Sequence, residues 1–258
     1  MRLLAAALCS TLCIGPAQAA TLLAFGEVHD QPDQQRQVAD EVQRLAAAGR
    51  LAAVVLEMAE TPHTTAGLPR DASEAQARQA LQWRGWPWEA YAVVVMNAVR
   101  AGVPVLGGNL PRGEMRTTMA DASLDATLPP AARERIAQAV RDGHCQLLPE
   151  AQVPGMVRVQ IARDRSLAAT AARAAGTAGA EQTVLLLAGA QHVARDRGMP
   201  LHLPAAGGSL PLRVVVFGEH KDTLAFDERR DAQFTPQVDH CEGLRRSLGA
   251  GDAASAPR

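Results

Sequence analysis

The hydrophobic positions of the chain form short continuous apolar runs, separated by longer amphipathic stretches. Five of these runs predict strands: TLLAF (21–25), LAAVVLEM (51–58), VPVLGG (103–108), TVLLLAG (183–189) and LRVVVFG (212–218). Because the runs are continuous rather than alternating, they are typical of a parallel sheet with both faces covered. The pattern predicts an α/β fold: a mostly parallel β-sheet with flanking helices and an inserted helical subdomain.

The segment between the first two runs predicts a helix. Val38, Val42 and Leu45 form one apolar stripe at helical spacing, and Gly49 stands where such a helix would end. Residues 21–58 are therefore expected to form a right-handed βαβ unit.

The later gaps are too long for single crossovers and predict helical insertions at about 62–102 and 111–180. We expect one α/β domain over residues 20–245 and a disordered tail over 246–258, which has the sequence SLGAGDAASAPR after Arg246. The composition, 47% hydrophobic and 21% charged, is that of an ordinary globular protein. A net charge of −1 argues against a nucleic-acid partner.

Residues 1–19 have the pattern of a secretory signal. One arginine precedes an apolar stretch that ends at Ala17-Gln18-Ala19, a small-residue cleavage pattern. We therefore expect export to the periplasm. A lipid anchor is not expected, because leucine precedes both Cys9 and Cys13, and no other apolar run is long enough to predict a transmembrane segment.

Two cysteines follow the predicted signal, Cys145 and Cys241. In an exported chain an even count favours one disulfide. The alternative is a pair of reactive or metal-binding thiols, since each cysteine follows a histidine.

Polar residues stand at or just after the ends of four predicted strands. In an open parallel sheet the carboxyl ends share one edge, where ligands bind. The residues expected at this edge are Glu27, His29, Glu57, Asn109, Arg112 and His192. An arginine there could hold a carboxylate.

Two of these strand ends share the form Gly-x-x-His, at Gly26 to His29 and at Gly189 to His192. Two imidazoles with Glu27 and Glu57 could hold a divalent metal with an open position. They could also activate water for hydrolysis, with Glu57 as general base. The plainer alternative is that these are hydrogen-bonded, solvated strand ends.

A second polar group lies in the predicted helix VRVQIARDRSLA. Gln160 and Asp164 are four residues apart and share a face, with Arg163 beside them. They either belong to the site at the strand ends or form a hydrogen-bond network on the helix surface.

The third feature is aromatic. All three tryptophans (Trp83, Trp86 and Trp88) and Tyr91, the one tyrosine, lie within nine residues of each other. Such a cluster is usually a packing centre. It could instead form a wall for a flat ligand such as haem, with Trp88 in contact and Tyr91 as an iron ligand.

Five motifs in order, FGEVHD, VLEM, GVPVLGGNLPR, VQIARDRSLA and LLLAGAQH, resemble those of the ChaN-like haem-binding uptake proteins. These belong to the wider Tiki and erythromycin-esterase-like superfamily, and the resemblance covers about residues 20–204. It implies an α/β core, a role in bacterial haem or iron uptake, haem held between the subunits of a homodimer, and a haem-uptake machinery as partner.

The Tiki branch of the resemblance implies a different activity, that of a metal-dependent peptidase or esterase. The residues that match its pattern are His29, His192 and Glu57, with Glu27 from the esterase-like pattern. The sequence thus leaves two functions open, haem carriage and hydrolysis, and does not decide whether the protein is an enzyme.

Overall fold

The fold is a six-stranded, entirely parallel sheet in a computed structural model that describes residues 20–206, 210–218, 223–236 and 241–246. The strand order is β3-β2-β4-β1-β5-β6. The strands are β1 (Thr21–Glu27), β2 (Leu51–Glu60), β3 (Val105–Asn109), β4 (Thr183–Gly189), β5 (Leu212–Phe217) and β6 (Glu228–Arg230). This confirms the predicted α/β class and all five predicted strands, within a few residues at their ends.

Helices cover both faces of the sheet. They are α1 (Pro32–Ala47), α2 (Glu74–Ala80), α3 (Trp88–Ala101), α4 (Met115–Ala120), α5 (Pro130–Gly143), α6 (Val153–Gly176) and α7 (Ala190–Val193), and residues 241–246 are also helical. Short 3₁₀ helices lie at Arg112–Glu114, Ala122–Ala126, Glu150–Gln152, Met199–His202 and Pro204–Ala206. Every helix in the described ranges is too short or too polar to cross a membrane.

Alternate residues of each central strand enter different cores. In β1, Leu23 and Phe25 pack with α1 and α3, whereas Leu22 and Ala24 pack with α6 on the opposite face. Since both faces are buried, the strand is apolar at every position, which explains the continuous runs in the sequence. The predicted stripe of α1 faces the first of these cores, and Gly49 follows the end of α1 with a left-handed φ of 65°.

A third apolar cluster lies between α5 and α6, away from the sheet. Ile136 and Val140 of α5 pack there against Val157 and Ile161 of α6. This cluster gives the segment predicted as the second helical insertion a core of its own, beside the carboxyl edge of the sheet.

The sequence pattern did not predict β6. Its three residues, Glu-Arg-Arg, form a strand that, within the described ranges, pairs with β5 alone and so ends the sheet. A short charged edge strand has no apolar run to reveal it. The predicted signal lies outside the described residues, as does the predicted tail apart from its first residue, Arg246.

Candidate functional site

Four predicted site residues, Glu27, His29, Glu57 and His192, meet at the carboxyl edge of the sheet; we call them the rim. Glu27 ends β1, Glu57 lies in β2, and His192 follows β4 in the short helix α7. Strands β2, β4 and β1 are neighbours in the sheet, so their ends lie side by side. The parallel topology therefore gathers these side chains as expected.

Glu57 lies at the centre of the rim and is buried. Its Oε2 accepts a hydrogen bond from the backbone N–H of Gly189 at 2.8 Å. Its Oε1 is 3.4 Å from Nε2 of His192, and its Oε2 is 3.9 Å from Nε2 of His29. Burial raises the pKa of the Glu57 carboxyl, but the two imidazoles outweigh this and leave the pKa below its usual value.

A second carboxylate, Asp164 of α6, holds the other side of His192. Oδ1 of Asp164 lies 2.7 Å from Nδ1 of His192, and both side chains are buried. Burial lowers the pKa of His192, but the charges of Glu57 and Asp164 raise it to about 9. Burial raises the pKa of Asp164 to about 6, although His192 opposes the shift. At neutral pH the imidazole is therefore a cation between two carboxylates.

The same arrangement recurs at His29. Its Nδ1 lies 2.9 Å from Oε1 of Glu27, which also accepts a hydrogen bond from the Tyr91 hydroxyl at 2.7 Å. Burial lowers the pKa of His29, yet the Glu27 hydrogen bond and the Glu57 charge leave it raised overall. Each rim histidine is thus oriented by one carboxylate and faces a second, Glu57.

Sequence reasoning missed Gln35 of α1. Its Nε2 donates to Oε2 of Glu27 at 2.5 Å, and the side chain is buried. The neighbouring Gln34 accepts from the backbone N–H of Val28 at 2.8 Å. These two glutamines stand four residues before Val38 and Ala39, on the apolar face of α1. A polar pair extending an apolar stripe was the signal that could have found them.

The aromatic cluster packs beside the rim. Trp83 contacts Trp88 and Tyr91, with ring centroids 5.1 Å and 5.8 Å away, and Trp86 lies 4.5 Å from the His29 ring. Trp88 and Tyr91 belong to the core that lies between the sheet and helices α1 and α3, and Tyr91 is fully buried. Burial and the adjacent Glu27 carboxylate raise the pKa of the Tyr91 phenol.

This geometry gives Tyr91 a structural task, the donation of a hydrogen bond to Glu27. A fully buried ring in this core offers no face to a porphyrin. Iron ligation by Tyr91 and haem contact by Trp88 stay predictions, and the contacts of both side chains favour packing.

The remaining predicted polar residues occupy different positions around the rim. Asn109 donates through Nδ2 to the backbone carbonyl of Glu57 at 2.8 Å, so it supports the rim. Arg112 is half-exposed and pairs with Glu60, with 3.2 Å between Nε and Oε1. Arg163 makes no hydrogen bond or ion pair with any residue that the structure describes.

Two cavities flank the rim. The larger, of about 360 Å³, lies between the rim and the end of α5, with Ile136 and Val140 on its apolar side and Gln160 on its polar side. The smaller, of about 150 Å³, lies on the other side of Glu57 and is lined by Trp86, Arg84 and Arg163. Gln160 and Asp164 both line the larger cavity, as their shared helix face predicted.

The predicted pairing of Cys145 with Cys241 is present as a disulfide, with Cα atoms 5.6 Å apart. It links the turn after α5 to the helical residues 241–246. In this structure the two sulfur atoms are bonded to each other and are not free thiols.

The rim has the donor types of a divalent metal site but not its spacing. Over the described ranges, no group of three or more histidine, cysteine, aspartate or glutamate residues is placed to hold a metal ion. Glu27 and Asp164 instead accept hydrogen bonds from Nδ1 of His29 and His192.

The fold and the rim define an α/β protein with a cleft at the carboxyl edge of its sheet. The model of the family described as "Haem-binding uptake, Tiki superfamily, ChaN" matches residues 13–203. The chain belongs to this family, which confirms the resemblance seen in its motifs. Because this family consists of haem-binding uptake proteins, membership indicates haem as the ligand.

Two solved structures resemble the chain. The structure of ChaN of Campylobacter jejuni, described as showing cofacial haem binding, is 22% identical with a TM-score of 0.64. That match covers 81% of this chain and 86% of the other, and it supports the fold. The type III effector HopBA1 is 14% identical with a TM-score of 0.45, covering 83% and 88% of the two chains. A comparison with curated proteins gave no significant match.

Proposed function

We propose that this protein binds haem in the cleft beside the rim and serves bacterial haem or iron uptake. The observation that carries the proposal is the family match over residues 13–203. The structure supports a location for the ligand, because the larger cavity joins an apolar wall to polar and imidazole side chains. Such a combination suits a flat apolar ring that carries polar groups at one edge.

We propose that the propionates of a haem in the larger cavity extend past Glu57 into the smaller cavity, where they need cationic partners. Arg163 is suited to this role, because it lines the smaller cavity and makes no ion pair with any described residue. Arg84 lines the same cavity, so two guanidinium groups are available to carboxylates there. Arg112 contributes less, since Glu60 already pairs with it.

The test is a haemin titration of the purified protein, followed in the Soret region. A saturable, shifted band at fixed stoichiometry supports haem carriage, and a featureless, non-saturating response contradicts it. Arg163→Ala is expected to weaken binding about tenfold, through one lost charge-assisted contact. Arg158→Ala is the matched control from the same helix, because Arg158 pairs with Asp125 outside both cavities. Haem dimethyl ester lacks the carboxylates that Arg163 would hold. Its affinity should therefore be the same for the wild-type protein and Arg163→Ala.

The proposal extends to location and assembly. The export-signal pattern predicted for residues 1–19 supports a periplasmic location, and cell fractionation tests this. Cofacial haem binding in the Campylobacter jejuni relative supports a homodimer that meets across haem. Sedimentation with and without haemin tests the dimer, and co-purification from haem-fed cells tests for uptake partners.

A metal-dependent hydrolase of peptides or esters is the second candidate, and one observation favours it. The Nε2 atoms of His29 and His192 both face Glu57, while a carboxylate holds each Nδ1. Metal-binding histidines are commonly oriented by carboxylates in this way. A bound ion would have to displace the Nε2 protons and draw the three side chains closer together.

The test for this second candidate is metal analysis of protein purified without chelator. A stoichiometric divalent ion that is lost in His192→Ala would support it, as would hydrolysis that depends on Mn²⁺, Zn²⁺ or Co²⁺. Metal-free protein without hydrolytic activity in all three ions would exclude it. His202→Ala is the control, because His202 lies outside the two cavities that flank the rim.

A further inference from the structure

The larger cavity has a third histidine, His144, which lies opposite the strand ends. It follows the last residue of α5 and lines the cavity together with Val140 and Gly143. Its Nδ1 is 2.7 Å from the backbone carbonyl of Val140. A carbonyl oxygen can only accept, so the proton is on Nδ1. With Nδ1 as the donor, Nε2 is the ring nitrogen left to offer a lone pair to a ligand.

The other two histidines of this cavity are differently placed. His192 has a carboxylate at each ring nitrogen, and His29 has Glu27 at Nδ1 and Glu57 3.9 Å from Nε2. In contrast, Nε2 of His144 has no hydrogen-bond or ion-pair partner among the residues that the structure describes. Among the three histidines of this cavity, His144 could therefore bind a metal centre without displacing a neighbouring carboxylate.

The turn that carries His144 has a constrained backbone. The next two residues, Cys145 and Gln146, both have left-handed φ values, 58° and 60°, although neither is glycine. Non-glycine residues adopt this region at a cost, and such residues concentrate at ligand sites. The bond from Cys145 to Cys241 and the hydrogen bond from Gln146 to Asp142 hold the turn in place.

We propose that His144 is the axial ligand of the haem iron, through Nε2. This inference rests on the proposed haem-binding function and names a residue for it. His144 lines the cavity, a backbone carbonyl accepts from its Nδ1–H, and its Nε2 has no described partner. These are the features of a histidine that binds haem iron. Ile136 and Val140 supply the apolar surface beside it.

The experiment compares haemin complexes of the purified wild-type protein, His144→Ala and the control His63→Ala. His63 lines neither cavity beside the rim. In His144→Ala the Soret band should shift and haemin binding should weaken at least about tenfold, because the iron loses a ligand. The reduced wild-type complex should show an iron–histidine stretching band by resonance Raman, and His144→Ala should lack it. Added imidazole should restore the wild-type spectrum.

Four outcomes separate the two proposals. Loss of the iron–histidine band in His144→Ala with rescue by imidazole supports the assignment. An unchanged band in that variant overturns His144 as ligand and leaves haem binding intact. Weakened binding without rescue by imidazole also overturns it, because the effect is then structural. A wild-type protein that does not bind haemin overturns the proposed function itself, and the assignment of His144 with it.

Discussion

Oδ1 of Asp164 lies 2.7 Å from Nδ1 of His192, and both side chains are buried. Asp164 comes from α6, which packs over the sheet, whereas His192 follows β4 within it. The pair therefore fastens the helical layer to the carboxyl edge. It also fixes the direction in which Nε2 of His192 points, toward Glu57.

The first prediction is a pH dependence of stability that this pair creates. The pKa of His192 rises from 6.5 to about 9 on folding, so the folded state binds the proton more tightly. Its stabilising contribution is complete below pH 6.5 and is lost as the pH rises through 9. Urea unfolding of wild type and His192→Gln should differ by about 3 kcal/mol at pH 6.5. The difference should shrink by pH 9.5; a constant difference would contradict the assignment.

The second prediction concerns Tyr91 and Glu27. Tyr91→Phe removes a buried hydrogen bond to a carboxylate and should lower the free energy of unfolding by about 2 kcal/mol. In a Glu27→Gln background the same substitution should cost less, because the acceptor is no longer charged. Haemin affinity should change little if the tyrosine is structural. A large loss of affinity with unchanged stability would instead favour Tyr91 as the iron ligand.

The third prediction concerns the space beside His29. A Cβ at Gly189 would lie 2.9 Å from Nε2 of His29 and 3.6 Å from Oε2 of Glu57, so Gly189→Ala should displace the His29 ring. We expect a loss of about 1–3 kcal/mol, as for other overpacked positions. Gly176→Ala is the matched control, since a Cβ there meets nothing within 4 Å. Chemical denaturation measures both, and NMR of the His29 ring should show its displacement only in the first variant.

Much of the fold could be predicted because burial on both faces makes each central strand continuously apolar, as in VLLLA of β4. Because the carboxyl ends of parallel strands share one edge, the sequence also predicted where Glu57 and His192 lie. It did not predict which atoms of these side chains form hydrogen bonds with each other or with their neighbours. The hydrogen bond from Tyr91 to Glu27 joins residues 64 positions apart in the sequence. It forms because α3 packs against α1.

The partners of the predicted helix residues were also beyond the sequence. Gln160 and Asp164 share a face by their spacing, but only the packing of α6 shows that Asp164 meets His192 and that Arg163 faces the smaller cavity. The sequence shows only that His144 precedes Cys145. Its ring geometry depends on a carbonyl one helical turn away, which no residue pattern specifies.

The last prediction tests whether the disulfide stabilises the turn after α5 that carries His144. The bond between Cys145 and Cys241 closes a loop of 96 residues, so its loss should cost about 2–4 kcal/mol of unfolding free energy. The double variant Cys145→Ser, Cys241→Ser should show this loss in denaturant, and reductant should then have no further effect on it. The unfolding free energy of the reduced wild-type protein should fall to nearly that of the variant. Because His144 precedes Cys145, the variant should also bind haemin more weakly, and a wild-type affinity would show that the turn holds its shape unaided.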